Sequence, residues 1–220
     1  SYGAALDTAA KGLNAAVQSI SWHINIPMED GMKPVVVFNP NSFPGKFEVE
    51  MESPNLKENQ ILVDEEGKQI PLQQVQPLAS SNGRTRLVFI ADLPAMGYRT
   101  YRLVIRETAH AFPYVESTDT TAENRWFKIA FDEKTGYISS LYKKNDGTEY
   151  FSGPAAVPAV IEDRSDTWSH AVRIFDKVKG CFSGISVKRV ENGPVKCVIR
   201  VTSTYGSSRM FQDFSIYREL

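Results

Sequence analysis

The chain has 220 residues, 42% hydrophobic and 23% charged, which is ordinary globular composition and excludes a disordered polypeptide. Its 25 basic and 26 acidic residues leave a formal charge of −1, without the basic excess that nucleic-acid binding depends on. The densest apolar stretches, such as Val35-Val36-Val37-Phe38, are of strand length and far short of the roughly 18 residues of a membrane span.

At roughly 150 residues per domain, the length fits one or two domains, enough to bury a core without staples. Two cysteines, Cys181 and Cys197, are too few for a disulfide scaffold or a cysteine-only metal cluster. One bridge between them is open, and reduced core thiols are the favoured reading. The first residues carry no basic segment followed by an apolar one, and the expected location is cytoplasmic. The chain starts inside a helical pattern and stops inside a strand pattern, which is the expectation for a piece of something larger.

Leu6, Leu13, Val17, Ile20 and Ile24 recur at helical spacing, with alanines at 9, 10, 15 and 16 between them. They predict one amphipathic helix of about five to six turns, stopped by Pro27. Its apolar stripe needs a partner, either the following sheets or helices preceding residue 1.

From Lys33 the period changes to two. Val35–Phe38, Phe47–Met51, Ile61–Val63, Ile70–Leu72, Arg84–Ile90 and Tyr98–Ile105 read as strands. They are separated by Asn39-Pro40-Asn41, Asp64–Gly67 and a hairpin signal at Ser80-Ser81-Asn82-Gly83. Six or seven short strands over about 75 residues predict a small antiparallel β-sandwich at 33–106. Residues 107–122 lack alternation and read as a linker. Strand signals then resume at Trp126–Phe131, Tyr137–Tyr142, Ile185–Val190, Val195–Val201, Ser203–Ser208 and Met210–Tyr217, with turns at Glu133–Gly136, Asp146-Gly147 and Asn192-Gly193-Pro194. The predicted class is mainly β: a helix at 1–27, a small sandwich, and the first part of a larger sandwich at 123–220.

The polar cluster Glu162-Asp163-Arg164-Ser165-Asp166-Thr167-Trp168-Ser169-His170 separates two apolar stretches, Ala155–Ile161 and Val172–Phe175, and reads as a loop between strands. A Ser-His-Asp triad is disfavoured because Ser169 and His170 are adjacent and diverge from an extended backbone. Asp163, Asp166 and His170 have no recognised metal-ligand spacing. Two readings stay open. Trp168 could offer a flat apolar face to a sugar ring while Asp166 and His170 bond its hydroxyls. Alternatively, the loop is held by its own Asx turns with Trp168 plugging the sheet edge. His23 reads as a capping or packing histidine and His110 as solvated. Tyr98, Tyr101, Phe38, Phe43 and Phe47 sit at strand spacing, which favours core. No phosphate-binding glycine loop, HExxH or CxxC is present.

Asn39-Pro40-Asn41-Ser42-Phe43, Leu93-Pro94-Ala95-Met96-Gly97-Tyr98-Arg99-Thr100-Tyr101, and Glu123-Asn124-Arg125-Trp126-Phe127-Lys128-Ile129 with Thr135-Gly136-Tyr137-Ile138, taken in order, resemble the α-mannosidases of glycoside hydrolase family 38. Asp163–His170, Glu191-Asn192-Gly193-Pro194 and Ile199-Arg200 complete the series. The resemblance runs over nearly the whole chain, and the opening helix resembles the last helix of the family's central three-helix bundle.

The resemblance implies a zinc-dependent, retaining hydrolysis of terminal α-mannosides, with zinc ligands, aspartate nucleophile and acid on an α/β barrel outside these residues. This segment would then carry no catalytic residue and bind no zinc itself. It also implies that a loop of the large β domain lines the sugar pocket. Asp163–His170 looks like that loop in the bacterial-type branch and departs from the animal Golgi and lysosomal members. Asp166, Trp168 and His170 are therefore the expected substrate-binding residues. The expected partner is an α-mannoside or oligosaccharide, with no nucleic acid or membrane, and a homo-oligomer through the β domains is compatible with the sequence. The alternative reading is a freestanding carbohydrate-binding β-sandwich module.

Overall fold

A computed structural model describes residues 2–54, 56–57, 59–76, 84–170 and 172–220, with the side chains of Arg84 and Ile185 excepted. The hairpin signal at Ser80–Gly83 lies outside the described residues. Among these residues the fold is mainly β, with one helix ahead of several antiparallel sheets. The chain divides into two units, 1–72 with 76–110, and 73–75 with 111–220.

In the first unit, α1 spans Tyr2–Trp22. It stops short of Ile24, because the last turn tightens: the amides of His23 and Ile24 donate to the carbonyls of Ile20 and Ser21 at 3.0 and 3.2 Å. His23 Nδ1 also bonds the Ser19 carbonyl at 2.7 Å, so this histidine sits at the helix C-terminus as a cap. No helix residue is buried; Leu13 is 67% exposed and Leu6 57%.

The strands that follow are β1 (Lys33–Asn39), β2 (Gly45–Pro54), β3 (Gln60–Val63), β4 (Gln69–Ile70), β5 (Gln73–Val75, which belongs to the second unit), β6 (Arg84–Leu93) and β7 (Gly97–Ile105). One antiparallel sheet runs β1-β7-β3-β4, and β2 pairs along its whole length with β6. Leu87, Phe89, Ala91 and Leu93 from β6 pack with Leu62, Tyr101 and Leu103 in one core, and the Phe89 and Tyr101 rings meet edge-to-face at 5.0 Å. Burying such side chains stabilises the sandwich by about 1.5–3 kcal/mol each. Phe43 and Tyr98, expected in this core, are instead 58% and 43% exposed. Phe43 lies in the turn after β1, where the period-two pattern no longer applies, and rests on Phe47. Buried Asn39 fixes that turn: its Nδ2 donates to the carbonyls of Phe43 and Pro94, and its Oδ1 accepts from Asn41 N.

The second unit adds β8 (Glu116–Ser117), β9 (Thr121–Glu123), β10 (Phe127–Phe131), β11 (Ile138–Lys143), β12 (Thr148–Glu149), β13 (Ala159–Ile161), β14 (Val178–Cys181), β15 (Ser183–Asn192), β16 (Lys196–Tyr205) and β17 (Ser208–Tyr217). They form a five-stranded sheet β12-β11-β10-β9-β8, a three-stranded sheet β15-β16-β17 and a two-stranded ribbon β13-β14. Part of the stretch expected as a linker is therefore sheet. Val115 is buried, and β8 and β9 pair because Thr118 closes a tight turn onto Thr121, with the two hydroxyls 2.8 Å apart. The core joins Phe131 and Ile138 to Cys197, Ile199 and Val201, and the Phe131 and Phe214 rings lie 4.9 Å apart. The last hairpin turns at Gly206, so Ser203–Ser208 is not a strand of its own.

Two glycines permit this packing. Gly136 has φ +75°, and a Cβ there would lie 2.4 Å from Val201 Cγ1. Its turn is held by Asp132, whose Oδ1 accepts from Thr135 N and Thr135 Oγ1, both at 2.7 Å. In the β15–β16 turn, a Cβ on Gly193 would lie 2.3 Å from Gln73 Cδ. Gln73 is 4% exposed. Its Oε1 accepts from Val195 N and Lys196 N at 3.0 and 2.9 Å, and its Nε2 donates to Glu191 at 2.8 Å.

Candidate functional site

The ribbon β13-β14 carries the loop 162–177. Its strands pair through Ala159↔Cys181 and Val160↔Gly180, with a bulge before Ile161. The stretch Val172–Phe175, expected to be a strand, is not one: Ile174 and Phe175 are 72% and 44% exposed and find no ladder. At the loop's base, Glu162 N donates to the Lys177 carbonyl at 2.8 Å, and the half-buried Glu162 carboxylate pairs with Arg164 and Lys179. The loop is long for a connection in a compact domain, and such loops are commonly functional.

Within it, Asp163 and Asp166 each organise a turn. Asp163 Oδ1 accepts from Ser165 N at 2.8 Å and Ser165 Oγ at 2.5 Å, and the Ser165 hydroxyl holds the Asp163 carboxyl below its ordinary pKa. Asp166 Oδ1 accepts from the amides of Trp168 and His170, both at 3.1 Å, while its Oδ2 meets His170 Nδ1 at 2.6 Å. The His170 amide first, then its ring, lowers the Asp166 pKa. A carboxylate can only accept, so Nδ1 is the donor of this bond, and Asp166 fixes the orientation of the imidazole ring. Ser169 takes φ +55°, which reverses the chain and brings His170 back onto Asp166.

The structure thus brings Asp166 and His170 into one bonded pair with Trp168 between them in sequence. Trp168 is 81% exposed, so it does not plug a sheet edge, although the Asx turns of that reading are present. Ser169 does not bond His170; the histidine is engaged by Asp166. Among the described residues no three His, Cys, Asp or Glu side chains converge on a point that could hold a metal ion. A separate apolar cavity of about 210 Å³, lined by Ala122, Phe127, Ile129, Leu141, Ile216 and Leu220 among others, contains no residue of the loop. Both cysteines are unbridged: Cys197 is a core thiol as expected, and Cys181 is exposed.

What the loop can do chemically is bounded by this geometry. It presents an exposed indole and a carboxylate bonded to an oriented imidazole. That set can bind a polyhydroxylated ring by stacking and by hydrogen bonds.

The family model described as the glycosyl hydrolases family 38 C-terminal domain matches residues 122–220, a span that contains this loop. Among solved structures, the chain is similar to a protein in glycosyl hydrolase family 38 from Enterococcus faecalis, solved to 2.55 Å. The identity is 12%, the match covers 88% of this chain and 30% of that chain, and the TM-score is 0.58, a likeness of fold. The chain therefore spans about a third of that relative's length. No curated protein matches the sequence.

Proposed function

We propose, from the match of residues 122–220 to the C-terminal domain of the glycosyl hydrolases of family 38, that the chain is the non-catalytic β segment of a retaining, zinc-dependent α-mannosidase. In this reading α1 closes a helical bundle, the two β units follow, and the loop 162–177 lines the cleft in which a terminal α-mannoside binds. Asp166 and His170 bond sugar hydroxyls, and Trp168 forms an apolar wall. The observation that carries the reading is the Asp166–His170 pair at 2.6 Å, with exposed Trp168 two residues from each in sequence, inside the matched span.

Zinc is assigned to residues outside this chain. The described residues offer no converging donor set, and Asp163 is bonded to Ser165. No chemical step is therefore attributed to a metal here. The part of this chain is to orient: Asp166 bonds Nδ1 and fixes the imidazole ring, whose other nitrogen bonds a substrate hydroxyl. In this reading the enzyme is cytoplasmic. No helix among the described residues is long and apolar enough to cross a membrane.

The test is made in the intact enzyme. Asp166→Ala and His170→Ala are expected to lower kcat/KM on an aryl α-mannoside by about ten- to a hundredfold, as for lost hydrogen bonds to a charged or oriented group. The thermal midpoint should stay within a degree or two of wild type, since the pair is exposed. Unchanged kinetics would remove the loop from the cleft. The 220-residue chain alone is expected to be inactive with or without added zinc, and zinc-dependent cleavage by it would overturn the assignment.

A further inference from the structure

The loop 162–177 leaves the ribbon through a residue that reaches both of its strands. Glu162 follows β13 directly, its amide donates to the Lys177 carbonyl, and its carboxylate pairs with Lys179 of β14 at 3.1 Å. The same carboxylate pairs with Arg164, two residues into the loop. The Glu162 side chain is 14% exposed, whereas Lys179 and Arg164 are exposed residues. A carboxylate so far withdrawn from water is costly without partners, so it holds its two cations in place.

Beyond Glu162 the outgoing half of the loop is a run of local bonds. The Asp163–Ser165 turn comes first. The Ser169 amide then donates to the Asp166 carbonyl at 3.0 Å, and the Val172 amide to the Ser169 carbonyl at 3.1 Å. Asp166 and His170 lie inside this run. The returning half has no comparable hold: Arg173, Ile174 and Phe175 are exposed and make no backbone hydrogen bond among the described residues. The run 163–172 is therefore tethered to the ribbon at its Glu162 end.

We propose that Glu162 is the positioning residue of this loop: its carboxylate, clasped by Lys179 and Arg164, sets where the Asp166–His170 pair stands relative to the ribbon. The consequence for substrate rests on the cleft reading above. Without the clasp, the run keeps its internal turns but samples several placements. A ligand that needs one placement then binds more weakly in proportion to the time spent there, while turnover of bound substrate is unchanged.

Three substitutions test this. Glu162→Gln removes the charge at constant size, Lys179→Glu sets a second carboxylate beside Glu162, and Lys179→Arg keeps the pair as a control. In the 220-residue chain, backbone amide order parameters across 163–172 are expected to fall below about 0.6 in the first two variants. Lys179→Arg and the strand β16 should keep wild-type values. In the intact enzyme, the first two variants should raise KM for an aryl α-mannoside about three- to tenfold, with kcat within about twofold of wild type. A merely stabilising contact would lower the thermal midpoint and leave KM unchanged. Wild-type order parameters in both Glu162→Gln and Lys179→Glu overturn the proposal. A loosened loop with unchanged KM upholds the positioning and removes the loop from the cleft instead.

Discussion

The side chain of Gln73 stands where a Cβ on Gly193 would be, 2.3 Å from its Cδ, in the turn between β15 and β16. Glycine is needed there to admit a neighbour that supplies three hydrogen bonds, two of them to buried amides. Gly193→Ala is expected to destabilise the second unit by about 1–3 kcal/mol through overpacking. Gln73→Ala should also destabilise, by stranding the amides of Val195 and Lys196. Because both substitutions disturb one contact, the double variant should lose clearly less than the sum of the two. Urea unfolding followed through the second unit measures all three, and strict additivity would show that the two residues act independently.

Thiol chemistry should separate the two cysteines. Cys181 is exposed, whereas Cys197 has no accessible surface, and burial pushes its thiol pKa up. A maleimide at neutral pH is expected to modify one thiol per folded chain, at Cys181, and the second only as the unit unfolds. Mass spectrometry of the labelled peptides reads this directly. Prompt labelling of Cys197 would mean that the β16 core opens on its own.

Acid should weaken the second unit through a defined set of carboxyls. The hydroxyl of Thr135 lowers the pKa of Asp132, Lys143 that of Asp146, and Arg200 that of Asp213. A folded pKa below the unfolded one means that the unfolded chain binds more protons in acid. The associated stability is complete above roughly pH 4 and is lost as pH falls through the folded values. Asp132→Asn keeps an oxygen to accept from Thr135 but cannot titrate. Its thermal midpoint is expected to fall less steeply than wild type below pH 4, and parallel curves would remove Asp132 from the effect.

The helix should be the least protected element. Its stripe of Leu6, Leu13 and Ile20 is exposed throughout, and an isolated helix of this length is marginal in water. Hydrogen exchange of the 220-residue chain is expected to be fast across Tyr2–Trp22 and slow across β16. Slow exchange in the helix would show that its stripe is covered in solution.

Much of the strand layout was legible because period-two alternation tracks burial directly: Val35–Phe38, Phe47–Met51 and the turn at Asn192–Pro194 all fall where that pattern puts them. What alternation cannot carry is a contact made far along the chain. Gly193 advertised a turn, but nothing local pointed to Gln73 as the group that fills it. The helix pattern ran on to Ile24 because periodicity ignores the tightening of the final turn. At the loop, the polar run from Glu162 to His170 was visible as an interruption. The bond between Asp166 and His170 was not, since it depends on Ser169 adopting a positive φ. Trp168 was open to opposite readings, because an indole in a loop can face either a sheet or water, and only its surroundings decide.

The ribbon β13-β14 contributes none of the buried hydrophobic residues of the second unit. It is fastened where the Tyr205 ring lies over Gly180 and where the Tyr137 hydroxyl donates to the Phe182 carbonyl at 2.8 Å. The loop it carries can therefore change length and sequence while the sandwich beneath keeps its packing. Among descendants of such a chain, the residues from Asp163 to His170 are free to drift toward new ligands at a pace that the frame does not set.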